Sequence, residues 1–157
     1  MGSVFNAAEI VDMGIEKENK RRDFYALVAE NFDQSEVKDL FTKLRDWEET
    51  HVKKFTEIRD SVKGHEVRES REGEMKEYMD NVVDDRLYSD ITPEGFSEKI
   101  KTPLEAIERG MEFEKDAILF FSELLPHMES SNRDAVQKLI NEEKQHLVYL
   151  SELKEKY

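Results

Sequence analysis

The 157-residue chain contains no cysteine. That excludes disulfides, a thiolate nucleophile, a zinc ribbon and any iron–sulfur centre held by cysteine within these residues. The lack of disulfides fits a reducing cytoplasm, which is the expected location. Glycine and proline are scarce, with six and three residues, and short alternating apolar runs are missing. Long amphipathic helices are therefore favoured over sheet. Basic residues are outnumbered, 24 against 37 acidic, for a net charge of −13. Such a surface repels nucleic acid and anionic membrane, so neither is expected as a partner. No apolar run approaches the ~20 residues needed to span a bilayer. The start, Met1 to Asn6, has neither a basic n-region nor an apolar h-region, and no secretory signal is expected there.

What the chain does have is charge in helical register. Charged residues make up 39% and hydrophobic ones 38%, and a single domain over 1–157 is expected at this length. Four long stretches repeat apolar positions at spacings of three and four. The first runs from about Ala7 to Phe32, with Asn6 as its N-cap and Glu9 three residues later. The second runs from about Ser35 to Lys63 and stops at Gly64, a natural closing residue. The third opens at Thr102-Pro103-Leu104-Glu105, which supplies a cap, a proline at the first helical position and a glutamate at the third. It continues to about Met128, with Pro126 distorting or ending its last turns. The fourth starts after Ser130, Ser131 and Asn132 and runs close to Tyr157.

Short joins near Asp33 and Ser130 make each pair an antiparallel hairpin, and the two hairpins an all-α four-helix bundle. Between them, Gly64 to Lys101 is a polar connection. Its middle, Glu74 to Tyr88, is predicted to be a short helix, and Ser89 to Gly95 reads as turn. A connection of this length can carry the chain along the bundle, so the arrangement of the hairpins stays open.

In each long stretch an ionisable residue interrupts the apolar seam near its middle. Val11 and Ile15 lead to Glu18, then Arg22, Tyr25 and Ala29. Val37, Phe41 and Leu44 lead to Glu48 and His51, then Phe55 and Ile58. Leu104, Ile107 and Met111 lead to Glu114, and Val136 and Leu139 lead to Glu143 and His146. Buried carboxylates need countercharge. Two divalent cations would balance the four glutamates, and the two neutral imidazoles would complete the ligand set. Residues at i and i+3 share a helical face, so each Glu-x-x-His can reach one metal pair. A single Glu-x-x-His is a common coincidence; repetition carries the case. Glu18 precedes Glu48 by 30 residues, Glu114 precedes Glu143 by 29, and aromatic pairs, Phe24-Tyr25 and Phe120-Phe121, follow at the same offset. The donor set suits iron or manganese, and zinc also fits it. Outside this pattern, His65 and His127 read as solvated, Trp47 as interhelical packing, and Lys17, Lys20, Arg21 and Arg22 as a solvated face.

Together these segments resemble the rubrerythrin branch of the ferritin-like superfamily. The matching pieces are Glu18-Asn19-Lys20-Arg21-Arg22-Asp23-Phe24-Tyr25, Glu48-Glu49-Thr50-His51, Glu114-Lys115-Asp116-Ala117-Ile118-Leu119-Phe120-Phe121 and Glu143-Lys144-Gln145-His146. The resemblance covers all four long helices. It implies a ferritin-like bundle holding two iron ions, with Glu48 and Glu143 bridging, Glu18 and Glu114 terminal, and one histidine on each metal. It implies reduction of hydrogen peroxide or reaction with dioxygen, with Tyr25 as a candidate catalytic residue donating a hydrogen bond nearby. It also implies a homodimer. Rubrerythrins proper carry a rubredoxin-like domain with four cysteines, which this sequence lacks, so a separate electron-donor protein is expected. They also carry an additional glutamate where this chain has Ala117, and a small residue where it has Arg21. Ligand exchange between oxidation states is expected to differ accordingly. Two other classes stay open: ferrous iron oxidation with storage or handling, and a metal-stabilised protein without turnover.

Overall fold

Only three residues separate the first two helices, α1 (Ala7–Asn31) and α2 (Ser35–Val62), so the chain doubles back there. The computed structural model describes residues 4–62, 66–68, 88 and 91–157. A short helix α3 (Pro93–Lys99) precedes α4 (Pro103–Leu124), a single 3-10 turn at Leu125–His127, and α5 (Ser130–Lys154). Ahead of α1, strand β1 (Val4–Asn6) pairs antiparallel with β2 (Glu66–Arg68), with Phe5 opposite Val67. Three residues are too few to print an alternating pattern, and this ladder was not legible in the sequence.

The hairpins are α1 with α2 and α4 with α5, and they meet as α1 on α4 and α2 on α5. Ion pairs and hydrogen bonds give the directions. Asp12 meets Arg59 at 3.2 Å, so α1 and α2 are antiparallel. Asn132 reaches Ser61 at 2.9 Å, and Lys156 reaches Glu36 at 3.2 Å, so α2 and α5 are antiparallel as well. In the α1–α4 pair, Gly14 faces Phe120 and Phe121 while Gly110 faces Tyr25. That crossing is also antiparallel, which leaves α2 and α4 parallel. The connection between them must therefore run the length of the bundle, roughly 40 Å at 1.5 Å per residue. Glycine permits the close approach: a Cβ on Gly14 would sit 3.1 Å from Phe120, and one on Gly110 3.3 Å from Leu150.

Local chemistry explains most boundaries. Thr102 accepts from the Glu105 backbone at 3.1 Å, and its hydroxyl meets the Glu105 carboxylate, as the cap motif predicts. Thr92 does the same for α3, accepting from Gly95 at 3.0 Å with Pro93 behind it. This corrects the turn expected over Ser89 to Gly95: Thr92-Pro93 is a helix start, anchored by the buried Phe96. Pro126 sits in the 3-10 turn that ends α4. Helix α5 begins at Ser130, earlier than expected, because Arg133 already bonds back to the Glu129 carbonyl at 2.7 Å. Asn6 is the last residue of β1, and its side chain lies outside the described residues. Gly64, His65 and the helix expected over Glu74 to Tyr88, Tyr88 itself excepted, also lie outside them.

The apolar interior falls into two clusters. One gathers Val11, Phe55, Ile58, Phe120, Phe121, Val136 and Leu139. The other gathers Phe24, Tyr25, Phe41, Leu44, Phe96, Phe113 and Leu150. A layer of buried ionisable groups lies between them.

Candidate metal centre

That layer consists of Glu18, Arg21, Glu48, His51, Glu114, Glu143 and His146, each no more than 4% exposed. All six residues singled out from the spacing as ligands come together in it. They form two groups, Glu18-Glu48-His51-Glu143 and Glu48-Glu114-Glu143-His146, and within each group one ligand atom per residue lies within 4.8 Å of the others. Glu48 and Glu143 belong to both. Glu48 turns Oε2 toward His51 Nδ1 at 3.5 Å and Oε1 toward His146 Nδ1 at 3.5 Å. Glu143 places Oε1 2.5 Å from His51 Nδ1 and Oε2 3.7 Å from His146 Nδ1. Each shared carboxylate thus offers one oxygen to each side. The helices enforce this, since a Glu and a His one turn apart on α2 face their counterparts on α5.

Both oxygens of Glu18, Glu48 and Glu143, Oε2 of Glu114 and both Nδ1 atoms are buried without an aligned hydrogen bond. Buried lone pairs are rarely left so. Their convergence on two points is what a pair of cations requires, and the mix of carboxylate oxygen and imidazole nitrogen suits iron or manganese. The residues fit a dimetal centre.

Charge is distributed unevenly. Burial pushes Glu18 up to about 7 despite the opposing charge of Arg21. Burial and the Glu143 charge push Glu114 well above the carboxylate range. On Glu48 burial and Glu143 act the same way, yet contacts from Glu18, His146 and His51 prevail and hold it at about 2. Glu143 is held low by its contacts with Glu114 and both histidines, against burial and the Glu18 charge. Burial opposes the charge on His146, but Glu114, Glu143 and Glu48 outweigh it and push the group up to about 12. His51 is raised too, by Glu142 and Glu143 against its burial. Protons and cations compete for the same atoms.

Three neighbours were not legible as site residues. His51 Nε2 lies 2.8 Å from Glu142, a carboxylate that orients the ring so that Nδ1 faces inward. Trp47, read as packing, stacks on His146 with centroids 5.0 Å apart and planes 12° apart. Arg21 was expected on a solvated face, and the structure corrects this. It is fully buried, with Nη2 2.6 Å from Glu18 Oε1 and Nη1 donating to the Tyr88 hydroxyl at 3.1 Å. The seam of α1 runs through Gly14, Glu18, Arg21 and Tyr25, leaving Ile15 and Arg22 half-buried. Either Arg21 or Arg22 satisfies a spacing of three or four, so the sequence alone chose wrongly. Lys17 is buried as well and pairs with Asp116, which accepts from Tyr88 at 2.6 Å. His127 is half-buried rather than solvated, and burial lowers its pKa. Tyr25, fully buried, donates to Glu114 Oε1 at 2.7 Å. Burial and the Glu114 charge raise its pKa well above the usual value, so it stays a donor.

A cavity of about 220 Å³ opens against the outer edges of both histidines, bordered by Trp47, Glu142 and Tyr149.

The family model for rubrerythrin matches residues 9–154, which include every residue of the centre. The chain belongs to the rubrerythrin family. A crystal structure described as that of a ferritin-like diiron-carboxylate protein from Thermotoga maritima shares the fold, with a TM-score of 0.70. It is 22% identical and covers 99% of this chain and 98% of its own. No curated protein sequence matches significantly. The rubrerythrin fold accounts for the split core, because its hairpins bring four helix centres to one polar layer. No described helix is long and apolar enough to cross a membrane.

Proposed function

We propose that this rubrerythrin-family chain is a non-haem diiron oxidoreductase that reduces hydrogen peroxide or reacts with dioxygen, as part of oxidative-stress defence in the cytoplasm. The supporting observation is the pair of four-residue groups sharing Glu48 and Glu143, with their lone pairs buried and converging. Glu18, Glu48, His51 and Glu143 would hold one iron, and Glu48, Glu114, Glu143 and His146 the other. When bound, such a metal pair supplies two electrons and Lewis acidity to an oxidant.

The protein's own residues do the rest. Tyr25 holds Glu114 in one rotamer, and Glu142 holds His51. Phe55, Phe121, Tyr25 and Phe41 close the layer from above and below against water. The cavity beside His51 and His146 offers a small oxidant a route to the layer. A rubredoxin-type protein is the proposed electron donor, and a homodimer is the proposed assembly.

The test is peroxide consumption by iron-loaded protein supplied with reduced rubredoxin. Turnover that depends on both iron and rubredoxin supports the proposal. Two bound irons with no consumption of peroxide or dioxygen overturn it. Ferrous oxidation that ends in a retained mineral points instead to iron handling.

A further inference from the structure

We propose that Arg21 makes the two metal positions unequal, so that the Glu114–His146 position fills first and tightly and the Glu18–His51 position second and weakly. The inference rests on the dimetal reading above and concerns how this chain departs from symmetry. Gly14, Glu18, Arg21 and Tyr25 on α1 correspond at one constant offset to Gly110, Glu114, Ala117 and Phe121 on α4. Both glycines sit under a close side chain, Gly14 under the Phe120 and Phe121 rings and Gly110 under Leu150. The other pairs differ.

Glu114 is held by a neutral donor, the Tyr25 hydroxyl. On the opposite side Phe121 stands where a hydroxyl would be needed. Arg21 replaces it as the partner of Glu18, with its guanidinium carbon 5.9 Å from the Phe121 ring. Ala117, at the equivalent place, contributes no charge. One terminal carboxylate therefore already has a permanent cation 2.6 Å away, and the other does not.

The charge count gives the order. Once the protons they hold are displaced, four carboxylates and one guanidinium total −3 for the first divalent ion but only −1 for the second. The first ion is favoured where Arg21 is farthest. Glu142 works the other way, since its negative charge lies beside His51. However, the Glu142 side chain is 41% exposed and that of Arg21 is 0% exposed. Water screens the carboxylate and leaves the buried guanidinium at nearly full strength, so Arg21 prevails.

The experiment is a cobalt(II) titration of the full chain after chelator treatment, followed by calorimetry and native mass spectrometry. Two binding events are expected, with Kd values at least about a hundredfold apart, a modest demand for a buried unit charge. Arg21→Met, of similar length and uncharged, should bring the two within about tenfold. Glu18→Gln should remove the weak event and Glu114→Gln the tight one. If Arg21→Met does not fold, the glutamate variants decide the assignment. A wild type that binds two ions with one affinity overturns this inference and leaves the dimetal reading intact. So does an Arg21→Met gap equal to that of wild type, or loss of the tight event in Glu18→Gln. A chain that binds no cobalt overturns both.

Discussion

The Tyr25 hydroxyl donates to Oε1 of Glu114 at 2.7 Å, across the contact between α1 and α4, with both groups closed to solvent. Tyr25 thus positions the Glu114 carboxylate. Tyr25→Phe keeps the ring and strands the carboxylate oxygen. Unfolding in urea should show a loss of about 1–3 kcal/mol, the usual cost of leaving a buried polar atom unsatisfied. Two metals per chain should still bind. An unchanged unfolding free energy would mean that the hydrogen bond contributes nothing to holding Glu114.

Glu48 and Glu143 each present one oxygen to either side of the centre, so neither position is complete without them. Replacing either with alanine removes a donor from both four-residue groups at once. Elemental analysis of Glu48→Ala or Glu143→Ala, grown with iron, should find fewer than two metals per chain. Retention of two would rule out the shared role.

The competition between protons and cations sets a pH dependence with a definite sign. In chelator-treated protein His146 is raised from 6.5 to about 12 by the carboxylates facing it. Its charged form therefore stabilises that state fully below pH 6.5, and the contribution fades as pH rises through about 12. A bound metal needs the neutral imidazole, so loading at pH 7 must release protons. Apparent metal affinity should rise between pH 6 and 9, by about tenfold per pH unit for each proton displaced. Calorimetry in buffers of different protonation enthalpy measures the number released. Metal removal should also lower the melting temperature, because loaded sites stabilise by mass action. A pH-independent affinity would show that the imidazoles are already neutral.

The sequence made the four helices, both hairpins and the six converging residues legible, for one physical reason. A charged residue on a seam of apolar ones is costly unless it meets its like from other helices, and the repeat of Glu-x-x-His at matched spacing implied such a meeting. The neighbours of those six were harder to read. Arg21 and Arg22 both satisfy helical spacing, and only the packing of α1 on α4 decides which one is buried. Glu142 follows no periodic rule, since its value lies in the direction of the His51 ring. The start of α3 was visible in Thr92-Pro93, the same signal read correctly at Thr102-Pro103, but Gly95 gave the segment the look of a turn. The β1–β2 pair left no signal of its own.

Glu142 and Trp47 occupy equivalent places, each directly before a shared glutamate, and each contacts the histidine of the opposite hairpin. Their chemistry differs. Glu142 bonds to His51 Nε2 at 2.8 Å, which fixes the tautomer and makes Nδ1 a stronger donor, whereas Trp47 only stacks on His146. Glu142→Gln keeps the shape but weakens the acceptor and removes its charge. Affinity at the Glu18–His51 position should fall by about 10–100-fold, the usual cost of losing such a partner. Trp47→Phe retains a stacking ring and should leave affinity at the Glu114–His146 position within a few-fold. Stepwise Kd values from cobalt(II) titration of both variants check the pair. If Trp47→Phe costs more than Glu142→Gln, orientation by hydrogen bonding is not what holds these rings, and close packing over the imidazole takes its place.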